Sequence, residues 1–223
     1  VKGVKIIQAG LDLDNPREFQ SHQQLSNLGI RYTRIQNDPY NETPPLNNIY
    51  QGWTDFYKGP DKAPNDPGLT PRHYGAWLSH KQSIMLGFCD SGHSLICEAD
   101  CKILDTDKFK LRLQEAIKVL DETDYPIIRF EKSNNLVDSK FYEQVSDNIY
   151  ECDKITLGHC YLINEKSKDF WDKLYTEQGW TTPDDWLLFS FYYKNIKFLA
   201  FKEDHLTSQF DGYSEIDKVF KAY

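Results

Sequence analysis

The chain has 223 residues, 39% of them apolar and 27% charged, enough to bury the core of one domain and to stay in solution. A formal net charge of −8 and a pI near 5.3 argue against the basic face of a nucleic-acid binder, but admit a phosphorylated small ligand whose charge a divalent cation offsets. No apolar run reaches membrane-span length and no signal-peptide core is present, so the expectation is a cytoplasmic protein without a transmembrane segment; a start at Val1 leaves open that the chain is a domain of something longer.

Val4 to Ala9 reads as a short strand. Asn15-Pro16-Arg17 then starts a helix, with Pro in its first turn, and Gly29 ends it. Ile30 to Ile35 reads as a second strand, which makes a strand–helix–strand opening typical of α/β folds. Residues 37–71 are irregular and rich in proline, and they read as a flap-like loop over a site. A helix follows, capped by Thr70 with Pro71 at its first position. Tyr74, Trp77, Leu78, Ile84, Met85 and Phe88 form its apolar stripe, His80 lies at the edge, and Gly75, Ser79 and Gln82 lie opposite. Ser94 to Cys97 fits a buried strand. Further helices are expected at 108–120, 166–178 and 184–194, and strands at 126–130, 155–163 and 197–202. Strands and helices alternate without an internal repeat. The expected architecture is therefore one α/β domain over 1–223, with a mainly parallel central sheet flanked by helices.

The five cysteines are Cys89, Cys97, Cys101, Cys152 and Cys160. No CxxC pair occurs, and Cys97 and Cys101 have no second pair nearby in sequence. The spacing argues against structural zinc and for thiols in a reducing compartment.

Glu98 and Asp100 follow the apolar strand. In an extended chain, residues two apart point to the same side, so the two carboxylates are expected to converge at the strand's carboxyl end. That edge is where open α/β sheets bind ligands. Converging carboxylates repel unless a positive group sits between them, and a hard cation such as Mn²⁺ or Mg²⁺ suits oxygen ligands. On spacing alone, an acidic triplet of this kind points first to a solvated strand end.

The surrounding residues carry more. Leu69-Thr70-Pro71, Gly75, Leu78-Ser79-His80 and Leu95-Ile96-Cys97-Glu98-Ala99-Asp100 resemble the run "LTxGExGCxxSH … hhhxEDD" of glycosyltransferase family 25. This group contains bacterial lipooligosaccharide galactosyltransferases and collagen galactosyltransferases. Gly158 to Ile163 resembles the family's "GxxxYhI" strand, and Pro183-Asp184-Asp185-Trp186 its "PxD" element. The first strand, Arg17 and Gly29-Ile30 resemble its amino-terminal unit. The resemblance implies a GT-A-type, Rossmann-like fold, a nucleotide-sugar donor (a UDP-sugar first), Mn²⁺ or Mg²⁺, inversion at the anomeric carbon, and a glycan or protein hydroxyl as acceptor. It also implies a place in glycan biosynthesis of the lipopolysaccharide kind. Two departures stand out. Ala99 replaces the middle acid of the family triplet, and Arg72-His73-Tyr74 replaces its Gly-Glu pair, so galactose is not carried over.

The resemblance and the positions of residues along the chain together assign the roles. Glu98 and Asp100 hold the metal, with His205 as a further ligand. Asp185, then Asp184, serves as the base that deprotonates the acceptor; acids after Thr182-Pro183 are also what a helix start favours. Gln8, Arg17, Gly75, Ser79, His80 and Ala99 fall to the donor. Gly158, His159, Tyr161 and Trp180 fall to the acceptor. Two other readings use the same residues. One is a non-catalytic carbohydrate-binding protein, which Ala99 motivates. The other is a metal-dependent hydrolase, although no Ser or His nucleophile motif accompanies the acids.

Overall fold

The computed structural model describes residues 3–10, 14–36, 71–130, 141–152, 159–177, 197–202 and 205–210. Strand β1, Val4–Gly10, is followed by helix α1, Pro16–Ser26, and strand β2, Arg31–Gln36, which lies parallel to β1. Asn15 caps α1 by accepting from the Arg17 backbone N–H at 3.0 Å, and Pro16 takes the first helical position. Gly29, at φ +71, makes the left-handed exit that a side chain would strain.

Helix α2, Pro71–Gly87, leads to β3, His93–Cys97, which pairs parallel to β1 on the side away from β2. The chain thus goes out to β2 and returns to β3 across β1. A sheet opens its ligand crevice where strand order reverses in this way, at the carboxyl ends of β1 and β3.

The helix expectation for α2 holds, but its inner face differs. Gly75, Ser79, Ser83 and Gly87 recur every four residues and are all buried, while Met85 is exposed. Small residues let the helix lie close to the strands: a Cβ on Gly87 would sit 3.1 Å from the Ser94 Cβ. A stripe assigned by apolarity alone misses a face built from small residues.

Strand β4, Cys101–Ile103, precedes helix α3, Thr106–Glu122, which Asp105 caps by accepting from the Lys108 N–H at 2.9 Å. Then come β5, Ile128–Arg129; β6, Phe141–Gln144; β7, Ile149–Cys152; and β8, Cys160–Asn164. A 3-10 turn leads into helix α4, Lys168–Glu177, and the described chain finishes with β9, Phe198–Phe201, and β10, Thr207–Gln209. The eight-stranded sheet has the order β2-β1-β3-β8-β5-β9-β7-β6, and β10 pairs with β4 in a separate ribbon. The α/β class and the large helix-flanked sheet are as expected. The β2-β1-β3 half is parallel, and β8 enters antiparallel between β3 and β5, which makes the whole sheet mixed.

Both faces of the sheet are covered. Leu25, Leu28, Phe109 and Leu113 pack with Ile6, Leu95 and Leu162 on one face, so α1 and α3 lie there. Trp77, Ile84, Trp171 and Leu174 pack with Ile7, Ile96 and Tyr161 on the other, under α2 and α4. Burial on both faces explains why β1, β3 and β8 read as near-continuous apolar runs. Strands β4, β6, β7 and β10 were not expected; each has only three or four residues and carries no usable period. Of the strand expected at 155–163, the described part begins at Cys160. The loop at 37–70 and the helix at 184–194 lie outside the described residues. No helix among the described residues is long and apolar enough to cross a membrane.

Candidate active site

Glu98 and Asp100 do converge, but not by strand alternation. Strand β3 ends at Cys97, and the Cys101 N–H donates to the Glu98 carbonyl at 3.2 Å, so residues 98–101 form a turn. The turn brings both carboxylates into one group with the His159 imidazole, with donor atoms all within 4.8 Å of one another. His159 reaches this place because β8 pairs antiparallel with β3, Cys160 opposite Cys97.

Glu98 is held on three sides. Its backbone N–H donates to the His159 carbonyl at 2.9 Å. His159 Nδ1 lies 2.7 Å from Oε2, and His80 Nε2 lies 3.2 Å from Oε1. The other His80 nitrogen, Nδ1, is 2.8 Å from the Tyr161 hydroxyl, and the two rings stack at 5.7 Å. The consistent assignment has Tyr161 donating to Nδ1 and His80 donating from Nε2 to the carboxylate. Burial alone would raise the Glu98 carboxyl. The hydrogen bond and charge of His159, followed by those of His80, outweigh burial and hold Glu98 below the usual carboxylate range.

Asp100 behaves in the opposite way. Burial and then the negative charge of Glu98 raise its carboxyl to about 6, against the pull of Arg17 and His159. Arg17 forms an ion pair with Asp100 through its Nη2. Its Nε is buried and has no hydrogen-bond partner among the described residues. The turn therefore holds one firmly ionised carboxylate and one poised near neutrality.

Helix α1 fixes the turn by a polar stripe at i, i+4 and i+7. Arg17 meets Asp100, Ser21 Oγ donates to the Cys101 carbonyl at 2.7 Å, and the Gln24 amide pairs with both the carbonyl and the N–H of Ile103 at 2.7 Å. Gln8, fully buried on β1, donates from Nε2 to the Ala99 carbonyl at 2.9 Å and to Ser21 Oγ at 2.8 Å. Its Oε1 accepts from the Tyr32 hydroxyl, which lies 2.7 Å from His22 Nδ1. Burial pushes Tyr32 up to about 12 despite Arg34, so its hydroxyl stays protonated and remains a donor.

Glu98, Asp100, Arg17, His80, Ala99, Gln8, His159 and Tyr161 gather at the carboxyl ends of β1 and β3. Gln8 has both amide hydrogens engaged within the protein, so as placed it supports the Ala99 turn. Tyr161 is buried beneath His80 and against Trp171, and Gly75 and Ser79 face inward on α2. His205 is exposed; it precedes the β10 residue Thr207, which pairs with Ile103, so it lies away from the Asp100 end of that ribbon. Asp184, Asp185, Gly158 and Trp180 lie outside the described residues. The roles of Ser21, Gln24 and Tyr32, and the grip of His159 on Glu98, were not visible in the sequence. Only the α1 stripe left a trace, as three polar residues at helical spacing.

The arrangement defines an α/β sheet protein with an acidic–imidazole cluster at the reversal of strand order. In fold, the chain is similar to a solved glycosyltransferase involved in the glycosylation of the major capsid of PBCV-1, with a TM-score of 0.52 and 10% identity over 99% of each chain. No protein-family model and no curated protein matches the sequence.

Proposed function

We propose that this chain is a glycosyltransferase of GT-A type that moves a hexose from a nucleotide-sugar, a UDP-sugar first, to a glycan or protein hydroxyl with inversion. The observation that carries the reading is the convergence of Glu98, Asp100 and His159 at the carboxyl ends of β1 and β3, beside Arg17. The fold shared with a glycosyltransferase supports it. Membership of family 25 rests on the sequence motifs, and a role in lipopolysaccharide-type glycan synthesis rests on that membership.

Two carboxylates and an imidazole suit Mn²⁺ better than Mg²⁺, which prefers oxygen and water alone. Glu98, Asp100 and His159 would hold the ion, which when bound supplies positive charge to the diphosphate as the sugar leaves. His80 keeps Glu98 oriented and ionised, with Tyr161 behind it. Arg17, with a buried Nε facing no protein partner among the described residues, offers a donor for a phosphate oxygen. Asp185, or Asp184, takes the proton of the acceptor hydroxyl.

The test is thermal stabilisation by UDP with Mn²⁺. At a hundredfold excess over the dissociation constant, binding adds about 2.7 kcal/mol to stability, and Asp100→Ala removes that gain. An unchanged melting curve with every common nucleoside diphosphate would count against the reading.

One observation favours a second reading. The two acids already have partners in Arg17, His80 and His159, and Ala99 removes a third acid. A carbohydrate-binding protein on this fold would need no cation. It would bind glycans yet release neither free sugar nor transfer product from any donor.

A further inference from the structure

Three of the five cysteines come together in the fold. Cys97, Cys101 and Cys160 are fully buried, and their sulfurs all lie within 4.8 Å of one another. Cys97 ends β3, Cys101 begins β4 and Cys160 begins β8. Each is the sequence neighbour of a member of the acidic cluster: Cys97 of Glu98, Cys101 of Asp100, Cys160 of His159. The chain thus presents oxygen and nitrogen donors at one level and sulfur donors at the next, on the same three segments. Spacing alone argued against a metal here because the third thiol is 59 residues beyond Cys101 (160 minus 101) and arrives only through strand pairing.

We propose that Cys97, Cys101 and Cys160 form a binding site for one thiophilic closed-shell ion, Zn²⁺ or Cu⁺, that ties the ends of β3, β4 and β8 together beneath the acidic turn. The geometry favours an ion over a disulfide. Cys97 and Cys160 sulfurs are 3.7 Å apart, and none of the five cysteines is in a disulfide. A metal–sulfur bond of about 2.3 Å places neighbouring sulfurs about 3.8–4.0 Å apart, whereas a disulfide needs about 2.05 Å and would leave the third thiol aside. An all-sulfur, fully buried donor set disfavours hard ions such as Mn²⁺ and Mg²⁺ and selects soft or borderline ones. On binding, each thiol releases its proton to solvent as its sulfur takes up the ion. Without an ion, burial followed by hydrogen bonds to Cys101 and Cys97 keeps the Cys160 thiol protonated, well above its usual range. The site is independent of whether the acidic cluster serves sugar transfer.

The probe is Cd²⁺, added to the reduced, metal-stripped protein in excess Mn²⁺. A sulfur-to-cadmium ultraviolet band should grow and stop at one equivalent, and either Zn²⁺ or Cu⁺ should displace the Cd²⁺ and abolish it. Asp100→Asn should keep the band, which separates this site from the carboxylates. Cys160→Ser and Cys97→Ser should lose it. A second measurement needs no variant: bound Cd²⁺ should protect Cys97, Cys101 and Cys160 from alkylation in mild denaturant, while exposed Cys89 reacts equally with or without it. Absence of the band in folded wild-type protein, its survival in a folded Cys160→Ser variant, displacement by neither ion, or alkylation that ignores Cd²⁺ would each overturn the proposal.

Discussion

His159 and Glu98 are tied twice, by Nδ1 to the carboxylate at 2.7 Å and by the Glu98 backbone N–H to the His159 carbonyl at 2.9 Å. The backbone bond sets the position of the imidazole, and the side-chain bond sets the direction of the carboxylate. Neither residue can turn without disturbing the first pair beyond the β3–β8 ladder.

His159→Ala removes a donor atom from the cluster and frees the Glu98 carboxylate to rotate. On the proposed reading, in which the cluster holds Mn²⁺, affinity should fall by at least about 10–100-fold, the range for losing a group that only orients a metal ligand. Paramagnetic titration of Mn²⁺ measures it, and equal affinity in the variant would show that the imidazole plays no part.

Gln8→Leu fills the same space but withdraws both donors and the acceptor. The Ala99 carbonyl then loses its side-chain donor, while the Tyr32 hydroxyl keeps only His22. A polar group left unpaired away from water costs about 1–3 kcal/mol, so a loss in that range is expected. It should appear as a lower urea midpoint at unchanged slope.

Glu115 on α3 anchors the turn between β6 and β7. Its carboxylate accepts from Ser146 Oγ at 2.6 Å, the Asn148 backbone N–H at 3.1 Å and Asn148 Nδ2 at 3.0 Å. Glu115→Ala should cost about 1.5–3 kcal/mol, the range for hydrogen bonds to a charged group. Hydrogen exchange should quicken first at residues 145–149. Uniform protection along the chain would contradict this local role.

Glu151 carries a pH signature. Burial would raise its carboxyl, but the hydrogen bonds from Lys197 at 2.7 Å and Tyr125 at 2.7 Å prevail and hold it below its ordinary 4.5. A lowered folded value means that this stabilisation is present above about pH 4.5 and is lost as pH falls through the folded value. The melting advantage of wild type over Glu151→Gln should therefore be full at pH 7 and shrink below pH 4.5. An advantage constant over that range would rule out the linkage.

Local pattern alone determined much of this protein. The β1–α1–β2 unit, helices α2 and α3, and strand β3 follow from runs, caps and punctuating glycine or proline, each complete within a few residues. The pair Glu98 and Asp100 was legible for the same reason, although a turn and not the strand pleat makes it converge. Tertiary structure decided the rest. His159, Cys160 and Tyr161 reach the site through the antiparallel register of β8 on β3, a pairing across some 60 residues that no local period encodes. Ser21 and Tyr32 look like ordinary polar residues until the sheet and α1 bring them to Gln8, whose amide holds the Ala99 carbonyl. Nearby residues express their preferences through local sterics and hydrogen bonds, so the sequence displays them. Residues that meet only when two faces of a sheet are covered depend on the sum of packing, and only the folded chain displays that.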